Sequence, residues 1–175
     1  MYERLFSTER IGRAEIKNRV VMTPMGTVIA APGGGVNDDI IAYYEARAKG
    51  GVGLIESELC RVLDGAGAAM TCQLAARNLA DVAGLARLVD VVHKYGTKIF
   101  IQLHHPGGQG SSAIGGEPIV AASAVKSPAA SSKNDLKCGF GTFPFGQVWK
   151  SRTGSASSGL PRWCLRCPST CRRWI

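Results

Sequence analysis

Three short stretches of the chain group side chains suited to chemistry: Thr23-Pro24-Met25-Gly26-Thr27, Glu58-Leu59, and Gln102-Leu103-His104-His105-Pro106-Gly107. An amide such as Gln102 offers a donor and acceptor from one group, and a hydroxyl such as Thr27 can do either. Each stretch also has a plain structural reading. Pro24 can end a strand, and Gln102 can bond a loop carbonyl. His104 and His105 suggest metal ligands, but neighbouring strand residues point to opposite faces, which places them poorly for one ion. His93 reads as a helix-surface residue, and Cys60 and Cys72 read as loop thiols. Cys164-x2-Cys167-x3-Cys171 has the spacing of part of an iron–sulfur ligand run, with Cys138 or another residue needed as the fourth ligand.

The elements that must position these stretches can be read from periodicity. Residues 4–17 alternate apolar and polar around Gly12 and predict a small hairpin. Asn18–Pro24 predicts a buried strand ended by proline. Asn37 followed by Asp38 and Asp39 predicts a capped helix start, with Ile40, Ile41, Tyr44 and Ala48 as its stripe and Gly50-Gly51 as its stop. Val52–Ser57 predicts a second strand. Residues 63–78 predict a loop. Asn78 or Asp81 can cap a second helix, with Val82, Leu85, Leu88, Val89 and Val92 as its apolar face and Gly96 beyond its end. Lys98–Leu103 predicts a third strand. Strand–helix–strand–helix–strand with apolar strands predicts a parallel α/β arrangement, its strands buried on both faces. The Gly/Ser/Ala/Pro-rich stretch from His105 to residue 134 predicts a long loop.

Three segments, in order and spacing, resemble the old yellow enzyme family of flavin oxidoreductases, above all its 2,4-dienoyl-CoA reductase-like and enoate reductase-like branch. They are Leu5-Phe6 through Ile16 to Thr27, Gly50–Ile55 with Glu58 after it, and Ile101–Gly107. The resemblance covers residues 3–136, about the first third of such a barrel. It implies an α/β fold, a partial (β/α)8 TIM barrel with its hairpin and first three strands, and FMN at the C-terminal strand ends, where loops build the site in this fold. It further implies that Thr23, Pro24, Met25 and Gly26 run beneath the isoalloxazine ring and that Thr27 lies at the ring's edge. Leu59 would approach the pyrimidine side, where the family often has a small residue, and Gln102 would read the O2/N3 edge. His105 would help shape the substrate site. Position 108 is Gly where many members have Arg. The implied reaction is reduction of an activated C=C in a small enone, enoate or enoyl-CoA. Hydride passes from NAD(P)H through flavin N5 to the β-carbon, and a proton goes to the α-carbon. The family's carbonyl-gripping His pair, Tyr proton donor, basic residue at flavin N1 and phosphate site belong to later strands and have no matching motif in residues 137–175.

Composition changes sharply at residue 137. The chain has 175 residues and a formal charge of +8, but residues 137–175 hold seven basic and no acidic residues. The body is therefore nearly neutral, and a basic face for nucleic acid is not implied by its sequence. All three Trp and four of the six Cys also lie in this segment. The expected organisation is 1–136 as the N-terminal part of an FMN-binding barrel and 137–175 as a disordered tail, read out of frame in GC-rich coding. In the family's long members the iron–sulfur run follows the complete barrel, so its position here argues against a cluster. No run of about 18 apolar residues predicts a membrane span. The absent leader pattern at Met1–Leu5 and the two body cysteines suit the cytoplasm. The resulting expectation is a fragment of an FMN-dependent ene-reductase, inactive alone. The alternative is a non-enzymatic protein that binds metal or nucleic acid through the basic Cys-rich tail.

Overall fold

In the computed structural model, residues 2–122 and 136–138 are described, the last three as backbone. A helical turn, α1 (Glu3–Phe6), leads into an antiparallel hairpin of β1 (Glu9–Ile11) and β2 (Ala14–Ile16). The hairpin follows the sequence expectation, and α1 adds to it. Next come β3 (Val21–Met22), α2 (Asp38–Lys49), β4 (Leu54–Arg61), α3 (Leu79–His93) and β5 (Lys98–His104). The three strands form one sheet in the order β3–β4–β5, and both pairings are parallel. Beyond β5 follow a tight turn at Gly107–Gln109, the short α4 (Ser112–Gly115), and a parallel pair, β6 (Ile119–Ala121) with β7 (Leu136–Cys138). Backbone pairing thus continues to Cys138, past the compositional break at 137. Residues 139–175 lie outside the described residues, as do the tail's Trp residues and the Cys164–Cys171 run.

The helices begin where their sequence says they should. The Asn37 side chain accepts a hydrogen bond from the Ile40 amide, and Asn78 does the same for Asp81. These bonds satisfy amides that the first helical turn leaves free. Ile40, Ile41, Tyr44 and Ala48 of α2 and Leu85, Leu88 and Val92 of α3 then form one core with Ile55 and Cys60 of β4 and Leu74. Met22, Ile99 and Ile101 pack against it from the sheet. Full burial of a side chain such as Leu88 or Ile55 is worth about 1.5–3 kcal/mol.

Four expectations are corrected. β4 runs to Arg61 rather than ending near Ser57, because its polar residues find partners inside the protein. Cys60 is therefore a buried strand residue, 0 % exposed, and no loop thiol. Val82 is exposed rather than on the core face, because in that first turn of α3 Asp81 points inward to meet Arg77. Finally, β4 is enclosed but β3 and β5 are not. Val21 and Phe100 are exposed, alternating with Met22, Ile99 and Ile101 that face the helices. Among the described residues no second layer covers that face.

Candidate functional site

The three chemistry-bearing stretches meet at one end of the sheet, where the parallel strands finish. Thr23–Thr27 leaves the end of β3, Glu58 and Leu59 lie in the second half of β4, and Gln102 lies near the end of β5. Leu59 stands opposite Gln102 in the ladder, and Arg61 opposite His104. A bulge makes this pairing possible. Three steps along β4, from Glu56 to Leu59, match two along β5, from Phe100 to Gln102. The extra residue re-aims the side chains that follow it. The Ser57 hydroxyl secures the bulge by accepting from the Gln102 amide at 3.1 Å and donating to the Glu58 carbonyl at 2.9 Å.

Glu58 is fully buried and joins the strand ends. One carboxyl oxygen accepts from the Thr27 amide at 2.9 Å and from the Thr27 hydroxyl, and the other accepts from the Leu74 amide at 3.4 Å. Its own amide donates to the Tyr44 hydroxyl at 2.7 Å. Burial pushes the Tyr44 hydroxyl's pKa well above the usual phenol value, so Tyr44 stays neutral. The loop after β3 and the loop after β4 are thereby tied to a single carboxyl group. The Thr27 hydroxyl proton is committed to Glu58, so towards any bound molecule this oxygen has lone pairs to offer.

The same loops carry backbone strain. Val28, directly after Thr27, has φ +60°, and Cys72, directly before Gln73, has φ +48°. Such conformations cost on the order of 1–3 kcal/mol each for residues with a side chain, and such strain clusters at functional sites. Gly34 has φ +91°, and a Cβ there would lie 2.5 Å from the Gln73 carbonyl oxygen. The loop after β3 can approach the loop after β4 this closely only with glycine.

Gln73 is fully buried and organises the second loop from inside. Its side-chain oxygen accepts from the Ala69 and Met70 amides at 2.9 and 3.3 Å, and its nitrogen lies 3.4 Å from His104 Nδ1. Met70 is thereby brought over Gly26, where an added Cβ would sit 2.5 Å from the Met70 methyl carbon. Arg61 is also buried. It donates to the Gly33 carbonyl at 2.7 Å and lies 3.4 Å from Asp64. Beside it, Arg77 bonds both Asp81 and Asp64, and this holds the Asp81 carboxyl below the usual carboxylate range.

Of the residues expected to form a site, Thr23, Met25 and Gly26 are exposed, while Pro24, Thr27, Leu59 and Gln102 are half-buried. His105 is exposed, and its Nδ1 accepts from the Gly107 amide at 3.0 Å. Gly108 lies in the adjacent turn. Gln102 Oε1 is buried and has no hydrogen-bond partner. A stranded acceptor of this kind costs about 1–3 kcal/mol. Among the described residues, no group of three or more His, Cys, Asp or Glu is placed to hold a metal. No helix among them is long and apolar enough to cross a membrane. Sequence reasoning missed Gln73 and Arg61 and gave Glu58 no role. All three are polar residues inside apolar or loop-like stretches, and only their burial marks them.

Comparison with known proteins gives a consistent result. The NADH:flavin oxidoreductase / NADH oxidase family matches residues 4–139. An NADH oxidase of Thermoanaerobacter brockii is 45% identical over 113 residues, which is 65% of this chain and 17% of that protein. Among solved structures, an old yellow enzyme homologue from Zymomonas mobilis aligns with a TM-score of 0.65 at 31% identity, covering 71% of this chain and 34% of the other. Morphinone reductase aligns with a TM-score of 0.65 at 29% identity, covering 72% and 33%. The chain therefore spans about a sixth of the length of the first relative and about a third of these structures. The described fold is part of a (β/α)8 barrel.

Proposed function

This chain belongs to the NADH:flavin oxidoreductase / NADH oxidase family, and from that premise we propose that its strand ends form the ring-binding part of an FMN site in an ene-reductase. FMN and NAD(P)H are the family's cofactors. When bound, FMN would relay hydride from the nicotinamide to an activated C=C of a small enone, enoate or enoyl-CoA. The observation that carries the reading is the buried, unpartnered Gln102 Oε1. An N–H donor on a flat heterocycle satisfies it, and the imide edge of a flavin supplies one beside acceptors for the Gln102 amide hydrogens. In this reading Thr23, Pro24, Met25 and Gly26 line the ring with exposed backbone. Leu59 closes the side next to Gln102, Thr27 presents lone pairs at the ring edge, and His105 borders the substrate space.

Phosphate sites in such barrels form after strands 7 and 8. On the reading that β3, β4 and β5 are the first three strands of the barrel, the described residues would supply ring contacts without phosphate contacts. We propose that the 175-residue chain by itself binds flavin weakly and has no ene-reductase activity. Fluorescence titration of the full chain with FMN and with riboflavin tests both statements. Weak quenching of similar strength for the two flavins, lost in Gln102→Leu, is expected. Tight stoichiometric binding with a strong preference for FMN would overturn the division of labour. No quenching of either flavin would overturn the ring site.

A further inference from the structure

We propose that His104 is a second recognition residue at the strand ends, a neutral imidazole held as a hydrogen-bond donor by Gln73, for an acceptor oxygen of the molecule bound there. The argument begins with backbone amides. A Gln side chain can be turned either way about its last bond, but the Ala69 and Met70 amides are donors only, so the atom facing them at 2.9 and 3.3 Å must be the Gln73 oxygen. The Gln73 nitrogen is then the atom 3.4 Å from His104 Nδ1. An amide nitrogen has no lone pair to offer, so Nδ1 must accept and carry no proton. A neutral imidazole with a bare Nδ1 is protonated at Nε2. The ring therefore presents an N–H on the edge turned away from Gln73.

Its setting keeps it neutral. Burial, followed by the neighbouring His105, lowers the His104 pKa below the usual imidazole value. His104 lies two residues beyond Gln102 on β5, and so on the same face of the strand. One face thus carries an unpartnered amide oxygen and then an N–H donor, about 7 Å apart along the chain. No other hydrogen bond to the His104 ring is present among the described residues. Gln73 acts as a positioning residue, since it sets the tautomer without facing the bound molecule itself.

The naming of a bound molecule rests on the flavin-site reading, but the tautomer does not, and the two are tested separately. The chain has three histidines, His93, His104 and His105. Long-range 1H–15N spectra of the labelled full chain, assigned with H104N, report each ring's tautomer. The expected result is an Nε2–H tautomer for His104 at pH 7, persisting to pH values below the usual imidazole range. In Gln73→Glu the carboxylate can accept from Nδ1, so His104 should gain a proton there and titrate at higher pH. An Nδ1–H or charged His104 at pH 7 in the natural chain overturns the proposal. An unchanged tautomer in Gln73→Glu overturns the part given to Gln73. If that variant does not fold, the His104 tautomer in the natural chain decides. Flavin quenching in the same samples judges the flavin reading on its own. Its absence beside an Nε2–H His104 refutes that reading and leaves the tautomer assignment standing.

Discussion

Replacing Glu58 tests whether one carboxyl group holds the strand-end loops together. In Glu58→Ala the Thr27 and Leu74 amides lose their acceptor. Each stranded buried donor costs about 1–3 kcal/mol. The Thr27 hydroxyl can turn to solvent, because Thr27 is half-buried, so it adds little. Two amides therefore give a loss of about 2–6 kcal/mol, before any contribution from the cavity. That is a large share of the 5–15 kcal/mol typical of a domain. Glu58→Gln should be much milder. Its oxygen can keep both Thr27 bonds, and its NH2 group meets the Leu74 amide, where the natural bond is already long at 3.4 Å. The expected loss is about 1 kcal/mol. Urea unfolding of the full chain, with amide exchange at Thr27 and Leu74, measures both. Faster exchange at these two amides together with the order Ala far below Gln is expected. An alanine variant within about 0.5 kcal/mol of the natural chain refutes the reasoning, because surface substitutions have effects of that size.

Two further outcomes follow from the charge and thiol environments. Arg77 holds the Asp81 carboxyl below its ordinary value of 3.8, so the stabilisation is complete above that value and is lost as pH falls through the lower, folded value. The gap in urea midpoint between the natural chain and Asp81→Asn should therefore be wide at pH 7 and narrow towards pH 3; a constant gap contradicts the ion pair's role. Burial pushes the Cys60 thiol up to about 11, and Cys60 is fully enclosed. At pH 8, peptide-level mass spectrometry after alkylation should find half-buried Cys72 modified well before Cys60, and Cys60 modified only once the chain unfolds; early labelling of Cys60 contradicts its place in β4.

How much could be read in advance depended on the range of the interactions involved. The starts of α2 and α3 were legible because an Asn side chain bonds an amide three residues ahead, a contact wholly within the local sequence. The stripes Ile40–Ala48 and Leu85–Val92 were legible because one layer of sheet imposes a helical period. Val82 broke that rule because Arg77, four residues before Asp81, drew Asp81 inward in its place. The end of β4 was illegible for a related reason. Nothing in the local sequence marks Glu58 and Arg61 for burial, yet both are buried on partners supplied by loops that lie 16 or more residues away in sequence.

The sequence by itself determined the alternation of strands and helices and, through three ordered motifs, the family. Those properties rest on local periodicity and on residue types at set spacings. Tertiary structure alone decided that the Thr27 hydroxyl faces Glu58, that Gln102 keeps a buried oxygen unpaired, and that Gln73 sets the proton on His104. Each depends on which donor meets which acceptor across distant segments. A chain of residue types does not contain that pairing until the bulge in β4 sets the register and the loops close over it.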